Sequence, residues 1–344
     1  MRGVYFAGNF LSRSTGIRGV SEDISEFFHE SGWAVVTASH HRNRLLRMAD
    51  FLWTAWHNRD VYKIAVVEVY SYLAFQWAFI LCHLLMLLKK PYILVLHGGR
   101  LPDFVQSHEK RFRDLLNSAE VVVTPSKYLQ QAFIKIRNDI KYIPNGIDIS
   151  RYPFTVREKP DPRLSWLRAF HKIYNPKLAV EVLHKVTLMV PQAELLMIGP
   201  DKKDGSFDEV RSTAAAYNLL NRVKYTGAVP KQEVGHYLSK SDIFLNTTKF
   251  ESFGVSVLEA AACGLCIVTT NVGELPYLWE DGFDALLVPP NDPEAMTAAV
   301  KRILEEPGLA EKLSKNARKK AERFDWVEII PQWGAVIEEV LSRV

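Results

Sequence analysis

Two glutamates, Glu251 and Glu259, stand in the stretch Lys249-Phe250-Glu251-Ser252-Phe253-Gly254-Val255-Ser256-Val257-Leu258-Glu259-Ala260-Ala261-Ala262-Cys263-Gly264. A short apolar run at 243–246 precedes it, Gly254 opens a helical pattern, and Gly264 closes that pattern before the next apolar run. The backbone N–H groups of Phe253, Gly254 and Val255 would then project from a helix N-terminus, where the dipole favours an anion. Glycine at 254 would let the backbone approach a phosphate closely. Carboxylates beside such a site cannot ligate phosphate themselves. They suit hydroxyl-rich groups, one holding a ribose diol and the other a sugar. Taken alone, the two glutamates fit a solvated amphipathic helix equally well.

Other chemistry-bearing residues point elsewhere or nowhere. Cys263 and Cys266 form a Cys-x-x-Cys, but at the C-terminal end of the helical pattern, where the dipole opposes thiolate formation. A zinc site would want a second pair, so packing is the expected role. No Asp-x-Asp occurs in the chain, and no metal site is expected. With Cys82 the cysteines number three, too few for a disulfide framework, which suggests a reducing cytoplasm.

The elements that must position these residues are legible as alternation. Strand-like runs fall at 4–7, 34–38, 64–69, 92–96, 121–124 and 140–143. After a polar, proline-containing stretch they resume at 164–170, 194–198, 223–226, 243–246, 266–270 and 285–288. Amphipathic helical patterns lie between them, for example at 23–30, 177–189 and 293–304. Continuous apolar strands separated by helices indicate parallel sheets covered on both faces. The expected fold is therefore α/β, with two doubly wound Rossmann-like domains (1–155 and 160–325) facing a central cleft. A final helix, 326–344, is expected to pack back on the first domain. At roughly 150 residues per domain, the 344 residues agree with two. The 43 basic and 39 acidic residues leave a net charge of +4, too little to argue for nucleic acid. The run 72–88 is apolar for 17 residues but feeds a strand through Lys89-Lys90-Pro91, which reads as a buried helix rather than a membrane span.

On these residues the sequence resembles the retaining glycosyltransferases of the GT-B fold, in particular glycosyltransferase family 4. Their signature, Glu, seven residues, Glu, matches Glu251 to Glu259. The similarity extends to Asp242-Ile243-Phe244-Leu245, Gly273-Glu274-Leu275-Pro276 and Glu280-Asp281-Gly282. The resemblance implies that Glu251 contacts the hydroxyls of the donor sugar and Glu259 the nucleotide ribose, with the Phe253, Gly254 and Val255 amides near the diphosphate. Gly227 and Val229 fall in the loop that borders the base, and Gly16 in a glycine-rich loop aimed at the donor phosphate. His97, in His97-Gly98-Gly99, falls where the family places a histidine near the reacting sugar. Arg168 matches the family's phosphate-binding arginine. Its lysine partner stays open: Lys172 comes early, Lys177 late, and Tyr174 is nearest by spacing.

The implied activity is metal-independent transfer of a hexose-type sugar, with retention, from a UDP- or GDP-linked donor to a glycan or lipid-linked acceptor. The expected setting is polysaccharide or glycoconjugate biosynthesis. No cofactor is implied beyond the donor substrate. A same-fold epimerase or hydrolase of sugar nucleotides and a non-catalytic sugar-nucleotide-binding protein remain the alternatives. The stretch 42–56 sets Arg42, Arg44 and Arg47 among Phe51, Leu52, Trp53 and Trp56. This reads either as a surface helix with its aromatic face on the first sheet or as a peripheral contact with anionic lipid at the inner membrane face.

Overall fold

The computed structural model describes residues 2–12 and 19–343. The chain divides into two compact units, one running to Gly146 and resuming at Val327, the other Ile147–Trp326. Gly16 and the start of its glycine-rich loop lie outside the described residues.

In the first unit six parallel strands are ordered β2-β1-β3-β4-β5-β6: β1 (Gly3–Ala7), β2 (Ala34–Ala38), β3 (Ile64–Val69), β4 (Tyr92–Leu96), β5 (Val121–Thr124) and β6 (Lys141–Tyr142). Their connections carry α1 (Val20–Glu30), α2 (Arg44–His57), α3 (Leu73–Leu87), α4 (Leu101–Gln106), α5 (Glu109–Ser118) and α6 (Lys127–Phe133). Residues 92–96 are Tyr, Ile, Leu, Val and Leu, apolar without alternation, and all five are buried. That is what a central strand covered on both faces requires.

The second unit is also a six-stranded parallel sheet, in a different order, β12-β11-β10-β7-β8-β9: β7 (Arg163–Leu167), β8 (Glu194–Ile198), β9 (Val223–Tyr225), β10 (Ile243–Asn246), β11 (Cys266–Thr270) and β12 (Leu286–Val288). Its helices are α7 (Pro176–Met189), α8 (Ser206–Ala216), α9 (Val234–Leu238), α10 (Val255–Ala262), α11 (Leu275–Leu278), α12 (Pro293–Glu305) and α13 (Leu309–Glu322). Separate apolar clusters cover the two faces of this sheet, one around Trp166, Leu183 and Val268, the other around Phe244, Val257 and Ile267. The last helix, α14 (Trp326–Leu341), belongs almost wholly to the first unit, where Lys141 pairs with Glu339.

Both sheets are the parallel, doubly wound kind that the alternation implies. Boundaries move by one to three residues: the run 140–143 shrinks to the two-residue β6, and 164–170 to β7. The apolar run 72–88 forms α3, of 15 residues, and buries Phe75, Ala78, Leu81, Cys82 and Leu85. Among the described residues no helix is long and apolar enough to cross a membrane. All three cysteines are buried, and burial pushes the thiols of Cys263 and Cys266 up to about 12, so neither is a poised nucleophile.

One buried ionic cluster ties the start of the second unit to its sheet. Asp242, just before β10, pairs with Arg157 at 2.8 Å and Arg163 at 2.7 Å, and both Arg157 and Asp242 are buried. Arg157 also donates to the Ser241 carbonyl at 2.9 Å. Removing one partner of a buried pair strands the other charge away from water. Asp242→Ala is therefore expected to cost about 3–5 kcal/mol in equilibrium urea unfolding. A loss below about 1 kcal/mol would show that water reaches Arg157 freely.

Candidate functional site

In the second sheet the strand order reverses between β7 and β10. Open parallel sheets bind ligands at such a switch point, outside the carboxyl ends of the strands. Arg168 directly follows β7, and Glu251 lies in the loop after β10. The two side chains meet there as an ion pair between Arg168 Nη2 and Glu251 Oε2, with Glu251 buried. The neighbouring strand ends contribute backbone. Arg168 N–H donates to the Ile198 carbonyl at 3.0 Å, and Gly199 N–H to the Gly227 carbonyl at 3.0 Å.

Two glycines allow this closeness. A Cβ on Gly199 would stand 1.9 Å from the Arg168 carbonyl oxygen, and one on Gly273 2.0 Å from that of Glu251. Gly273 also has φ +57, in the left-handed region where a side chain adds strain. The backbones carrying both charged groups are thus pressed against chain that no other residue could supply.

Burial works against the charge of Arg168, but Glu251 and then Tyr174 more than offset it and hold the guanidinium pKa above its ordinary value. Its Cζ lies 4.9 Å from the Tyr174 ring centroid, a cation–π contact. The remaining oxygen of Glu251 accepts from the Ser252 N–H at 3.1 Å and from Phe253 at 3.5 Å. Gly254, with φ +100, is the N-cap of α10. The first-turn amides of any helix lack intrahelical acceptors, so those of Gly254, Val255 and Ser256 face this corner unpaired within the helix. Two side-chain atoms here are buried without a hydrogen-bond partner among the described residues, Arg168 Nε and Ser256 Oγ. Native interiors rarely leave such atoms unpaired.

Glu259, one turn further along α10, is buried and accepts a hydrogen bond from the Tyr152 hydroxyl at 2.8 Å. Burial, reinforced by the Glu259 charge, raises the Tyr152 pKa far above the usual phenol value, so the hydroxyl stays a donor. Gly227, with φ +69, closes the turn after β9, and Val229 packs half-buried against the α10 side of the sheet. The two candidate lysines are not brought to the arginine in this way. Lys172 is exposed, and Lys177 pairs at 3.2 Å with Glu181 on its own helix. Tyr174, the residue nearest by spacing, occupies the place beside Arg168.

His97 belongs to the first unit, directly after β4. Its ring stacks on Tyr70 at 5.2 Å, and Nε2 lies 3.7 Å from Glu68 Oε1. Burial lowers the His97 pKa while Glu68 works in the opposite sense, and the net shift is downward, so the ring is neutral at neutral pH. Sequence reasoning missed Tyr152, Ser256, Tyr174 as a partner, and Glu68. Ser256 carried a usable signal, as a hydroxyl in the first turn behind Gly254. The Tyr152 contact with Glu259 and the Glu68 contact with Asn9 join residues far apart in the chain and left no local pattern, whereas Tyr174, six residues after Arg168, was visible only as a spacing.

Two sequence profiles match the chain: "Glycosyl transferases group 1" over residues 154–320 and "Glycosyltransferase Family 4" over residues 20–151. Among curated proteins, the chain is 28% identical over 198 residues to a glycogen synthase of Mycobacterium tuberculosis, a match covering 55% of this chain and 45% of that one. It is 27% identical over 209 residues to a phosphatidyl-myo-inositol mannosyltransferase of Mycolicibacterium smegmatis, covering 59% and 53%. These matches span about half the length of the relatives. Among solved structures, sucrose-phosphate synthase from Thermosynechococcus elongatus superposes over 100% of both chains, with a TM-score of 0.80 at 17% identity. Anabaena Alr3699/HepE, solved with UDP and glucose, does so with a TM-score of 0.76 at 20% identity. Identities this low establish a shared fold.

The Tyr152–Glu259 contact is testable without any ligand. Tyr152→Phe keeps the packing and removes the donor from a buried carboxylate, so the variant should lose about 1.5–3 kcal/mol, read as a lowered urea midpoint. An unchanged midpoint would mean that Glu259 draws nothing from the tyrosine.

Proposed function

The chain belongs to the GT-B glycosyltransferases of family 4, and on that premise we propose that it transfers a hexose-type sugar from a nucleoside diphosphate to a hydroxylated acceptor with retention of configuration. The observation that carries the reading is the corner at the β7–β10 switch. There Arg168, with a buried unpaired Nε, and Ser256, with a buried unpaired Oγ, stand beside the amides opening α10. Guanidinium, hydroxyl and helix N-terminus together suit a diphosphate. Glu251 and Glu259 flank that corner with acceptors for sugar and ribose hydroxyls, and the Gly227 loop lies at the far side for the base.

In this mechanism the bond from C1 of the donor sugar to the diphosphate oxygen breaks through an oxocarbenium-like state. The acceptor hydroxyl attacks from the face the diphosphate leaves, and its proton passes to the departing phosphate oxygen. The protein's part is to neutralise the leaving charge. Glu251 engages Nη2 of Arg168 and fixes the direction of the guanidinium, leaving its other N–H groups for phosphate. These groups supply what a divalent cation supplies elsewhere, so we infer that turnover needs no metal. Replacing Arg168 by Ala should lower kcat about 100- to 1000-fold, the range for losing one preorganised charge stabiliser, while EDTA leaves the wild-type rate unchanged. Near-normal transfer by the variant, or full loss with EDTA, would overturn this reading.

The acceptor reading includes a lipid-linked one, favoured by α2. Phe51 is buried as a packed surface helix requires, but Trp53 and Trp56 are 60% and 47% exposed, so the aromatic face does not all pack on the sheet. Leu45 and Leu46 are exposed beside them, and so are Arg42 and Arg44. Arg47 turns inward and donates to Asn9 at 2.9 Å, which leaves two arginines rather than three for lipid. An amphipathic surface of this kind suits the boundary of an anionic bilayer. Flotation with phosphatidylglycerol vesicles should recover the protein, and the double variant Arg42→Glu, Arg44→Glu should stay at the bottom of the gradient. Equal flotation of both would remove the electrostatic part.

A further inference from the structure

Near the start of the second unit a 3₁₀ turn, Ile149–Arg151, leads into the buried Tyr152. The backbone there is held on both flanks. Tyr152 N–H donates to the Ile149 carbonyl at 3.2 Å, and the Tyr152 carbonyl accepts from Arg318 of α13 at 3.3 Å. The same Arg318 nitrogen donates to the Ala262 carbonyl at 2.6 Å, at the end of α10, and its guanidinium lies 5.1 Å from the Phe154 ring centroid. From the other flank α9 presses close, since a Cβ on Gly235 would stand 2.3 Å from the Arg151 carbonyl oxygen. Further on, Thr155 N–H donates to the Cys263 carbonyl at 3.4 Å.

These ties run to the helix that carries Glu259. The Tyr152 ring packs in the apolar cluster of Val234, Val257 and Leu258, so the phenol cannot swing away from the carboxylate it reaches at 2.8 Å. The last torsion of a glutamate is soft, and its carboxylate plane turns easily unless something holds it. Here the phenol holds one oxygen, Oε1, and so sets the plane.

A carboxylate has about four acceptor positions, and Tyr152 takes one of them. With the plane set, the others point in fixed directions. Two neighbouring hydroxyls on a ring donate in directions the ring dictates, and they need such an array. A single hydroxyl is satisfied by a carboxylate in many orientations. A site built to bind a hydroxyl rejects the analogue lacking it, because a buried acceptor is then left unmet.

We propose that Tyr152 is a positioning residue that aims Glu259 at both hydroxyls of a ribose, so that the chain prefers ribonucleotides to deoxyribonucleotides. The proposal rests on the reading of Glu259 as the ribose ligand. It adds the residue that orients that ligand and the selectivity that results.

Calorimetric titration with UDP and GDP, and with the 2′-deoxy and 3′-deoxy forms of each, is run on the wild type, Tyr152→Phe and Glu259→Gln. The readout is the ratio of dissociation constants, deoxy over ribo. A variant that is merely less stable weakens every nucleotide alike and leaves this ratio unchanged. For the base that binds, the wild type should prefer the ribonucleotide to each deoxy form by about 10- to 100-fold. Tyr152→Phe should bring the preference below about threefold, mainly by weakening the ribonucleotide, and so should Glu259→Gln, which leaves a single acceptor oxygen. A preference kept in Tyr152→Phe but lost in Glu259→Gln would overturn the role of the tyrosine and leave the ribose reading standing. Loss in Tyr152→Phe alone would overturn it too, since the tyrosine would then act otherwise than through Glu259. A wild type without preference, or a preference kept in both variants, would overturn both. Failure of UDP and GDP alike to bind the wild type would sink the donor reading and the proposal with it.

Discussion

A part-buried ion pair between the ends of two non-consecutive strands holds the second unit's chemistry in place. Arg168 follows β7 and Glu251 follows β10, and parallel pairing of those strands brings them side by side. Placing two charges out of water is costly unless each has further partners. Glu251 accepts from the two amides that follow it, and Arg168 lies over Tyr174. The consequence is orientation: a guanidinium with one nitrogen committed has its remaining donors aimed. Gly199 and Gly273 are the backbone's share of the same constraint, since any side chain there would push the two charged groups apart.

The fold and much of this corner were legible in the sequence for a physical reason. Strands buried on both faces cannot alternate, so they appear as unbroken apolar runs, and the helices between them keep a polar face. Gly254 and the two glutamates were legible because a glycine-opened helix after a strand is a local pattern. Arg168 became visible only through the family resemblance. Tyr152 was not visible at all, because its bond to Glu259 spans more than a hundred residues and a tyrosine in a polar stretch announces nothing. The choice among Lys172, Tyr174 and Lys177 was left open for a different reason. Spacing along a chain does not say where a 3₁₀ turn such as Lys172–Tyr174 will direct each side chain, and that turn puts an aromatic ring, not an ammonium, beside the arginine.

The two units put parallel, doubly wound sheets of different strand order to two different electrostatic ends. At its switch point the second unit offers an arginine, a hydroxyl and helix amides, a surplus of donors suited to an anion. The first unit's switch point balances Arg47 against Glu68 and backs them with aromatic and aliphatic walls. The difference lies in which side chains stand at the strand ends. Glu68 sits within a strand whose other five residues are all aliphatic. Such a carboxylate persists because Asn9, Ser21 and Tyr70 supply donors around it.

The return of α14 to the first unit has a bearing on how the polypeptide matures. Trp333, Ile337 and Val340 of that helix are buried, and Trp333 lines a small cavity with Phe6, Val20 and Ile143 of the first unit. During ribosomal synthesis the opening sheet emerges early but lacks this cover until nearly two hundred further residues have been made. The later sheet, uninterrupted in the chain from Ile147 to Trp326, has all its parts in hand sooner. The half translated first is therefore finished last, and in the interval Phe6 and its neighbours present an apolar surface for chaperones to shield.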